Sequence, residues 1–513
     1  MDTSVVTAGS EQAQSYDAFP YDSLPLHPTH PSNLAVVATL AGRRAPPPSS
    51  ARVLELGCAS GGNLIPMAVN YGAGEFVGID ISPAQIRDGH AVLDELDLRN
   101  VRLEARSILD VDEHFGTFDY VICHGVYSWV PPAVQDHILR ICARNLSSDG
   151  IAYVSYNTHP GWHLRGMVRD MMLYHVRGFT EPRERVAQAR AFLDFLLASA
   201  RDRDSAYTKF LGEEVDVLRE AADSYLFHEH LESHNRPLYF SEFIEQAAAH
   251  GLDYLGEARP TSIKPGEFSQ DVEDTVRRLA GDVVEFEQYL DFLRNRMFRR
   301  TLLCKTGAPI DRTWRTERLA GLHMGTPVRS PEKEARFDDG SAVVFLGPGD
   351  VKLTASHPWL KTAFRILGER WPDVLPYPDL EAAVESVVGS PADQDLQYLR
   401  EAMLRCYVAG ILETHVDPPP ACTTPGARPV ASPLARLQAR AGTRVTSLRH
   451  RVIEIGEADR QILRRLDGSR DRAALASELD VLAARGEVTR DCPTPEMVER
   501  SVRALGLASL FLA

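Results

Sequence analysis

Short apolar runs alternate with amphipathic stretches over the first 160 residues. Val53 to Leu56, Glu75 to Asp80, Val101 to Ala105, Phe118 to Cys123 and Gly150 to Tyr156 each have the length and apolar content of a buried strand. Between them, helical periodicity begins near Asn63 and spans 83–96 and 133–146. Strands alternating with helices predict an α/β fold built on a doubly wound, Rossmann-like parallel sheet, with ligand at the strand C-termini.

The rhythm then changes. Residues 160–250 read as helical, with an apolar face at Val186, Phe192, Phe195 and Leu196. Residues 251–257 and 300–305 look like two late strands, so the helices read as an insertion into the sheet domain. Residues 306–354 are a polar connecting region. Three helical stretches in 355–416, ending in Gly410-Ile411-Leu412-Glu413-Thr414, suit a winged-helix-like unit. Prolines 418, 419, 420, 425, 429 and 433 mark 417–433 as a linker, and 434–513 is a small helical domain. The expected layout is therefore a cap segment (1–52), a core (53–159), the insertion (160–250), the final core strands (251–305), and the mainly helical C-terminal units. There is no internal repeat.

Composition narrows the functional classes. The chain has 513 residues and a net charge of −15, from 56 basic and 71 acidic side chains with no dense basic block, which disfavours nucleic acid as a partner. Its seven cysteines are scattered without CxxC spacing, so neither a zinc site nor a disulfide framework is expected. His228 and His230 near Glu229 and Glu232 lack converging ligand spacing, and no metal is expected there. A start without a basic n-region and the lack of an 18-residue apolar stretch predict a soluble, cytoplasmic chain with no membrane insertion.

The chemistry concentrates at the first two strand tips. Glu55 ends an apolar run and is followed by Gly57, Cys58, Ala59, Gly61, Gly62 and Asn63, a turn of small residues that lets backbone approach a ligand. Asp80 ends the next strand, where a carboxylate is placed to accept two ribose hydroxyls. Ser82-Pro83-Ala84-Gln85 then opens a capped helix. Two acids on successive tips point to S-adenosylmethionine (SAM), with Glu55 under the methionyl end. A nicotinamide site fits less well, because its second glycine is missing and Glu55 has no role beside a pyrophosphate. Glu55, Gly57, Cys58, Ala59, Gly61, Asn63, Asp80, Ile81, Ser107, Ile108 and His124 are the expected cofactor contacts.

A SAM enzyme must chiefly bind, desolvate and aim a nucleophile. The loops after the fourth and fifth strands, His124 to Pro131 and Tyr156 to Trp162, carry the candidates: His124, Tyr127, Trp129 and Tyr156 for catalysis, and Trp129, Asn157 and Trp162 for the acceptor. A lysine amine has an unperturbed pKa of about 10.4, so only about one in a thousand is neutral at pH 7. An aromatic channel would lower that pKa and favour a cationic product. The competing reading is that these aromatics pack the sheet against the insertion. Tyr16 and Tyr21 in the proline- and aromatic-rich N-terminal stretch are further candidate acceptor contacts.

Thr29-His30-Pro31, the Glu55 to Asn63 turn, His124 to Pro131, Asn157 to Trp162, Tyr225 to Glu229 and Phe298 to Leu303 together resemble bacterial class I methyltransferases with a methyltransferase regulatory domain, among them the rickettsial protein lysine methyltransferases. The resemblance is good over residues 15–305 and looser beyond. It implies a SAM domain, a helical insertion able to form a homodimer, C-terminal domains that engage a protein substrate such as an outer-membrane or surface protein, and SAM contacts at Glu55, Gly57 and Asp80. Ala59 departs from the glycine usual in the turn, and Ser107 stands where many SAM enzymes place an aspartate beside the adenine amine. Methyl transfer to protein lysine is the leading expectation. A small natural-product or saccharide-linked acceptor, or a SAM-sensing scaffold with little activity, remain as alternatives.

Overall fold

The structure, a computed structural model, describes residues 23–200, 202–259, 267–307, 309–332, 335–349, 351–489, 492 and 494–512. Tyr16 and Tyr21 lie outside these residues. Seven strands form the central sheet: β1 (Arg52–Leu56), β2 (Glu75–Asp80), β3 (Val101–Ala105), β4 (Phe118–Cys123), β5 (Leu146–Asn157), β6 (Leu252–Glu257) and β7 (Phe298–Lys305). Their order is β3-β2-β1-β4-β5-β7-β6. The first five run parallel, and β7 is antiparallel to both β5 and β6, so the sheet is mixed. Both faces are covered by separate apolar layers, which is why β1 and β4 read as nearly continuous hydrophobic runs.

The strand order reverses beside β1: β1 pairs with β2 on one side and with β4 on the other, in register Leu56↔Ile79 and Leu56↔Cys123. A crevice opens outside the carboxyl ends of strands at such a switch point. Glu55, Asp80 and His124 are all brought to it by the register of three adjacent strands.

The insertion consists of helices Gly161–Val176, Pro182–Ser199 and Ala206–Glu220, a short turn through Asp223–Leu231, and helix Phe240–Ala249. It has its own core, including Val168, Met172, Val186, Ala189, Leu193, Leu211 and Phe227. The apolar face expected on its second helix is shifted. Val186 is buried and is joined by Ala189 and Leu193, whereas Phe195 is 62% exposed and Phe192 stacks on His175 at 4.4 Å. Positions 186, 189 and 193 follow the helical period, and Phe195 falls on the opposite side.

Beyond β7, helices Pro358–Arg370, Tyr377–Val388 and Asp393–Val408 pack with a three-stranded sheet formed by Leu375–Pro376, His323–Gly325 and Glu413–His415. Helix Pro31–Leu40 is shared: Leu34, Val37 and Ala38 pack on the central sheet, while Val36 and Leu40 join the core of this second unit. The proline-rich stretch is docked rather than free, since Ala421 and Cys422 pair with Leu512 and Phe511. The final unit contains helices Pro433–Ala441, Glu457–Leu463, Arg472–Ala484 and Thr494–Leu507, and a hairpin of Arg444–Thr446 with Val452–Glu454.

Candidate active site

At the switch point β1 turns into helix Leu64–Asn70 through a loop with two tight constraints. Gly57 sits at φ +77°, and a Cβ there would lie 2.5 Å from Val126. Gly62 lets the N-terminal segment close over the loop: a Cβ would sit 2.1 Å from the Ser23 carbonyl oxygen, and its N–H donates to Ser23 Oγ at 2.8 Å. Ala59, between them, takes φ +49° without the freedom of glycine. Its N–H donates to Asp80 Oδ2 at 2.8 Å, while Ser82 N–H donates to Asp80 Oδ1 at 2.9 Å. The following helix is capped by Ser82 Oγ, which accepts from Gln85 N–H at 3.2 Å, with Pro83 at the first position. Backbone donors thus hold the Asp80 carboxylate at the crevice.

The crevice is a cavity of about 410 Å³, within the range of small-molecule cofactor sites. Glu55, Gly57, Cys58, Ala59, Asn63, Asp80, Ile81, Ser107, Ile108 and His124 all line it, as does Trp129. Gly61 instead supports the loop from beneath, at φ +79° against Leu103 and Ile65. Leu24 and Leu26 add a wall from the N-terminal segment. Sequence reasoning also missed Glu229, which reaches the cavity from the π-helical turn Phe227–Leu231 of the insertion. Such turns recur at functional sites, but they leave no readable period in the sequence.

Glu55 is buried, with Oε1 accepting from Asn63 Nδ2 at 2.8 Å and Oε2 without a hydrogen-bond partner. Burial pushes its pKa up to about 7, against the Asn63 hydrogen bond and with help from the Asp80 charge. An orphaned buried carboxylate oxygen in a cavity wall fits a cationic group such as the methionyl ammonium of SAM. Asp80, whose two oxygens already accept backbone N–H groups, and the apolar pair Ile81 and Ile108 fit ribose and adenine by their place in the cavity wall. His124 Nδ1 faces Tyr153 Oη at 2.9 Å and Ser155 Oγ at 3.1 Å. Burial, aided by the Arg300 charge, pulls its pKa down to about 4, so the ring is neutral at pH 7 and does not repel a bound sulfonium.

Two catalytic expectations fall away. Tyr127 is fully buried in the core, edge-on to Phe243, and its hydroxyl donates to Gln246 Oε1 at 2.9 Å. Tyr156 stacks on Phe243 at 4.1 Å, with its hydroxyl 3.1 Å from Thr301 Oγ1. Neither lines the cavity, because helix Phe240–Ala249 covers both rings. Asn157 does not line the cavity: it is buried, with its Nδ2 donating to Asn235 Oδ1 at 3.0 Å, which ties the insertion to β5, and Asn235 lines a neighbouring groove. Trp162 meets Trp129 edge-on at 6.1 Å and lines a neighbouring open groove of about 570 Å³ with His159, His163, Arg169 and Asp170.

Among the described residues, no group of three or more His, Cys, Asp or Glu is placed to hold a metal ion. His228 faces Glu232 Oε1 at 3.0 Å, and His230 is buried beside Trp162. No described helix is long and apolar enough to cross a membrane.

Comparison with known proteins accounts for this geometry. Residues 48–189 match a methyltransferase domain model, 222–305 a predicted methyltransferase regulatory domain, and 427–495 the PKMT C-terminal winged helix domain. An uncharacterized protein of Rickettsia prowazekii (strain Madrid E), RP789, is 35% identical over 508 residues, covering 97% of this chain and 91% of its own. Another from that organism, RP028, is 40% identical over 233 residues, covering 45% of this chain and 93% of its own. The solved structure of PKMT2 from Rickettsia typhi in complex with AdoHcy superposes with a TM-score of 0.87 at 29% identity, covering 96% of this chain and all of that one.

The chain belongs to the class I SAM-dependent methyltransferases with a regulatory domain. SAM is the cofactor of this methyltransferase, and the crevice residues fit it. The winged-helix match of the methyltransferase falls on 427–495, read from sequence as linker and terminal helical domain, and not on 355–416. The regulatory-domain match begins at residue 222 and takes in β6 and β7, so it overlaps only the end of the helical insertion.

Proposed function

We propose that the protein transfers the SAM methyl group to the side-chain amine of lysine in a protein acceptor. The observation that carries this reading is Glu229. It brings a carboxylate from the insertion into the same cavity as Trp129 and the neutral His124. A carboxylate attracts the cationic lysine amine, and an indole face stabilises a cation at close range. The adjoining groove offers an open approach beside Trp162, which suits an extended polypeptide better than a free small molecule. Likeness to PKMT2 supports the same acceptor class.

In this reading Trp129 and Glu229 receive the acceptor amine, which gives up its proton to solvent along the open groove. The neutral nitrogen then attacks the methyl carbon as the bond to sulfur breaks and AdoHcy leaves; His124 adds no repulsive charge. Tyr127 and Tyr156 act only through packing. The test is Glu229→Gln, assayed with a lysine-containing protein acceptor and mass spectrometry of the modified site. The expected result is a loss of about tenfold in kcat/KM for the acceptor, with AdoHcy affinity within about twofold of the unsubstituted protein, as expected for one lost interaction with a charged group. Unchanged acceptor kinetics would remove Glu229 from the site, and methylation confined to small molecules would overturn the acceptor class.

A further inference from the structure

The winged-helix unit touches the cofactor site itself. The tip of its hairpin, Ser447–Arg451, is closed by Ser447 N–H to the Arg451 carbonyl at 2.9 Å and by His450 N–H to the Ser447 carbonyl at 3.0 Å. His450 adopts φ +58°, a conformation costly for a side chain with a Cβ. That strained residue is fully buried, and its Nε2 lies 2.7 Å from Asn63 Oδ1.

The amide orientation of Asn63 follows from its partners. Leu26 N–H donates to Oδ1 at 2.9 Å, so Oδ1 is the acceptor end and the His450 Nε2 must carry its proton. The other end, Nδ2, donates to Glu55 Oε1 at 2.8 Å. One uninterrupted path therefore runs from the hairpin tip through Asn63 to the carboxylate whose second oxygen has no hydrogen-bond partner.

The tip is fixed on both sides. Arg449 stacks on Trp371 at 4.4 Å and bonds to Glu413 and to the Pro372 carbonyl, and Arg451 pairs with Glu413 at 2.7 Å. On the sheet side, Asn70 Nδ2 donates to the Leu448 carbonyl at 2.9 Å. Movement of the second unit or of the winged-helix unit would reach Asn63 through this joint.

We propose that His450 is a positioning residue for cofactor binding, so that the winged-helix unit and the SAM pocket are energetically coupled through His450, Asn63 and Glu55. The proposal rests on the crevice being the SAM site. Coupling of this kind is reciprocal: a docked tail strengthens cofactor binding, and bound cofactor stabilises the docked tail.

The test uses the full chain and AdoHcy. Calorimetry on His450→Phe, which keeps a ring but loses the donor, should show AdoHcy binding weakened by about tenfold, within the range of site-to-site couplings. His450→Gln, whose amide can donate to Asn63, should recover most of it. In an Asn63→Ala background, His450→Phe should have no further effect. Hydrogen exchange on the unsubstituted protein needs no variant to fold, and AdoHcy should slow exchange at residues 447–451. AdoHcy binding with no change in exchange there, or unaltered affinity of folded His450→Phe, overturns the coupling alone. Failure of the unsubstituted protein to bind AdoHcy overturns the site assignment as well.

Discussion

The N–H of Ala59 donates to Asp80 Oδ2 at 2.8 Å, so the first strand's turn holds the second strand's acid in place. This bond joins the small-residue turn after Glu55 to the second of the two acids that point to SAM. Asp80→Ala should weaken AdoHcy binding by about 2 kcal/mol through unsatisfied ribose hydroxyls and a loosened turn. Isothermal titration checks this, and an unchanged Kd would contradict the ribose assignment.

Glu55 gives a pH dependence of definite sign. Its pKa is raised from 4.5 to about 7 in the folded protein, so the folded state holds this proton more tightly than the unfolded chain does. Its contribution to stability is therefore lost as pH rises from about 4.5 to about 7, by roughly 3 kcal/mol in all. Glu55→Gln should raise the melting temperature of the ligand-free protein at pH 8 and leave it unchanged at pH 4.

The same group acts oppositely on the ligand. A cationic ammonium prefers ionised Glu55, so AdoHcy affinity should rise between pH 6 and 8 with release of a proton, and Glu55→Gln should flatten that rise. Calorimetry in two buffers of different ionisation heat measures the proton. Affinity independent of pH in the unsubstituted protein would place the ammonium elsewhere.

Tyr127→Phe removes a hydroxyl that donates to Gln246, not one in the cavity. The expected cost is about 1 kcal/mol of stability. Methyl-transfer turnover should stay within about twofold of the unsubstituted protein; a larger loss of turnover at unchanged stability would return Tyr127 to the reaction.

Arg299 is fully buried and bonded by Asp291 at 2.8 Å through both Nε and Nη2, with Glu257 at 2.8 Å and Glu287 at 3.0 Å, and Arg296 pairs with the same three carboxylates. Asp291→Ala would leave a buried guanidinium short of a carboxylate and should cost about 3 to 5 kcal/mol in denaturant unfolding. A loss below about 1 kcal/mol would show that Glu257 and Glu287 suffice.

Much of the sheet was legible because parallel buried strands lack polar alternation, and the Glu55 and Asp80 tips were marked by glycine and by the Ser82 cap. The antiparallel β7 carries no local sign of its direction; its place follows from pairing with β5 and β6. The aromatic candidates divided by tertiary context. Trp129 faces the cavity, while Tyr127 and Tyr156 lie under helix Phe240–Ala249, whose packing no local pattern encodes. Ala59 illustrates the same limit: the sequence shows only that it departs from the usual glycine, and it is the turn that places it at positive φ. Glu229 and His450 reach the site from 149 and 370 residues beyond Asp80, through a π-helical turn and a hairpin tip.

The most direct test of the central claim is radiolabelled methyl transfer from SAM into fractionated cell extract, with acid-precipitable protein separated from small molecules and the label mapped by mass spectrometry. Label on lysine side chains of protein, resistant to nuclease, is the predicted result. Label confined to the small-molecule fraction, or no label from a preparation that binds AdoHcy, would contradict it.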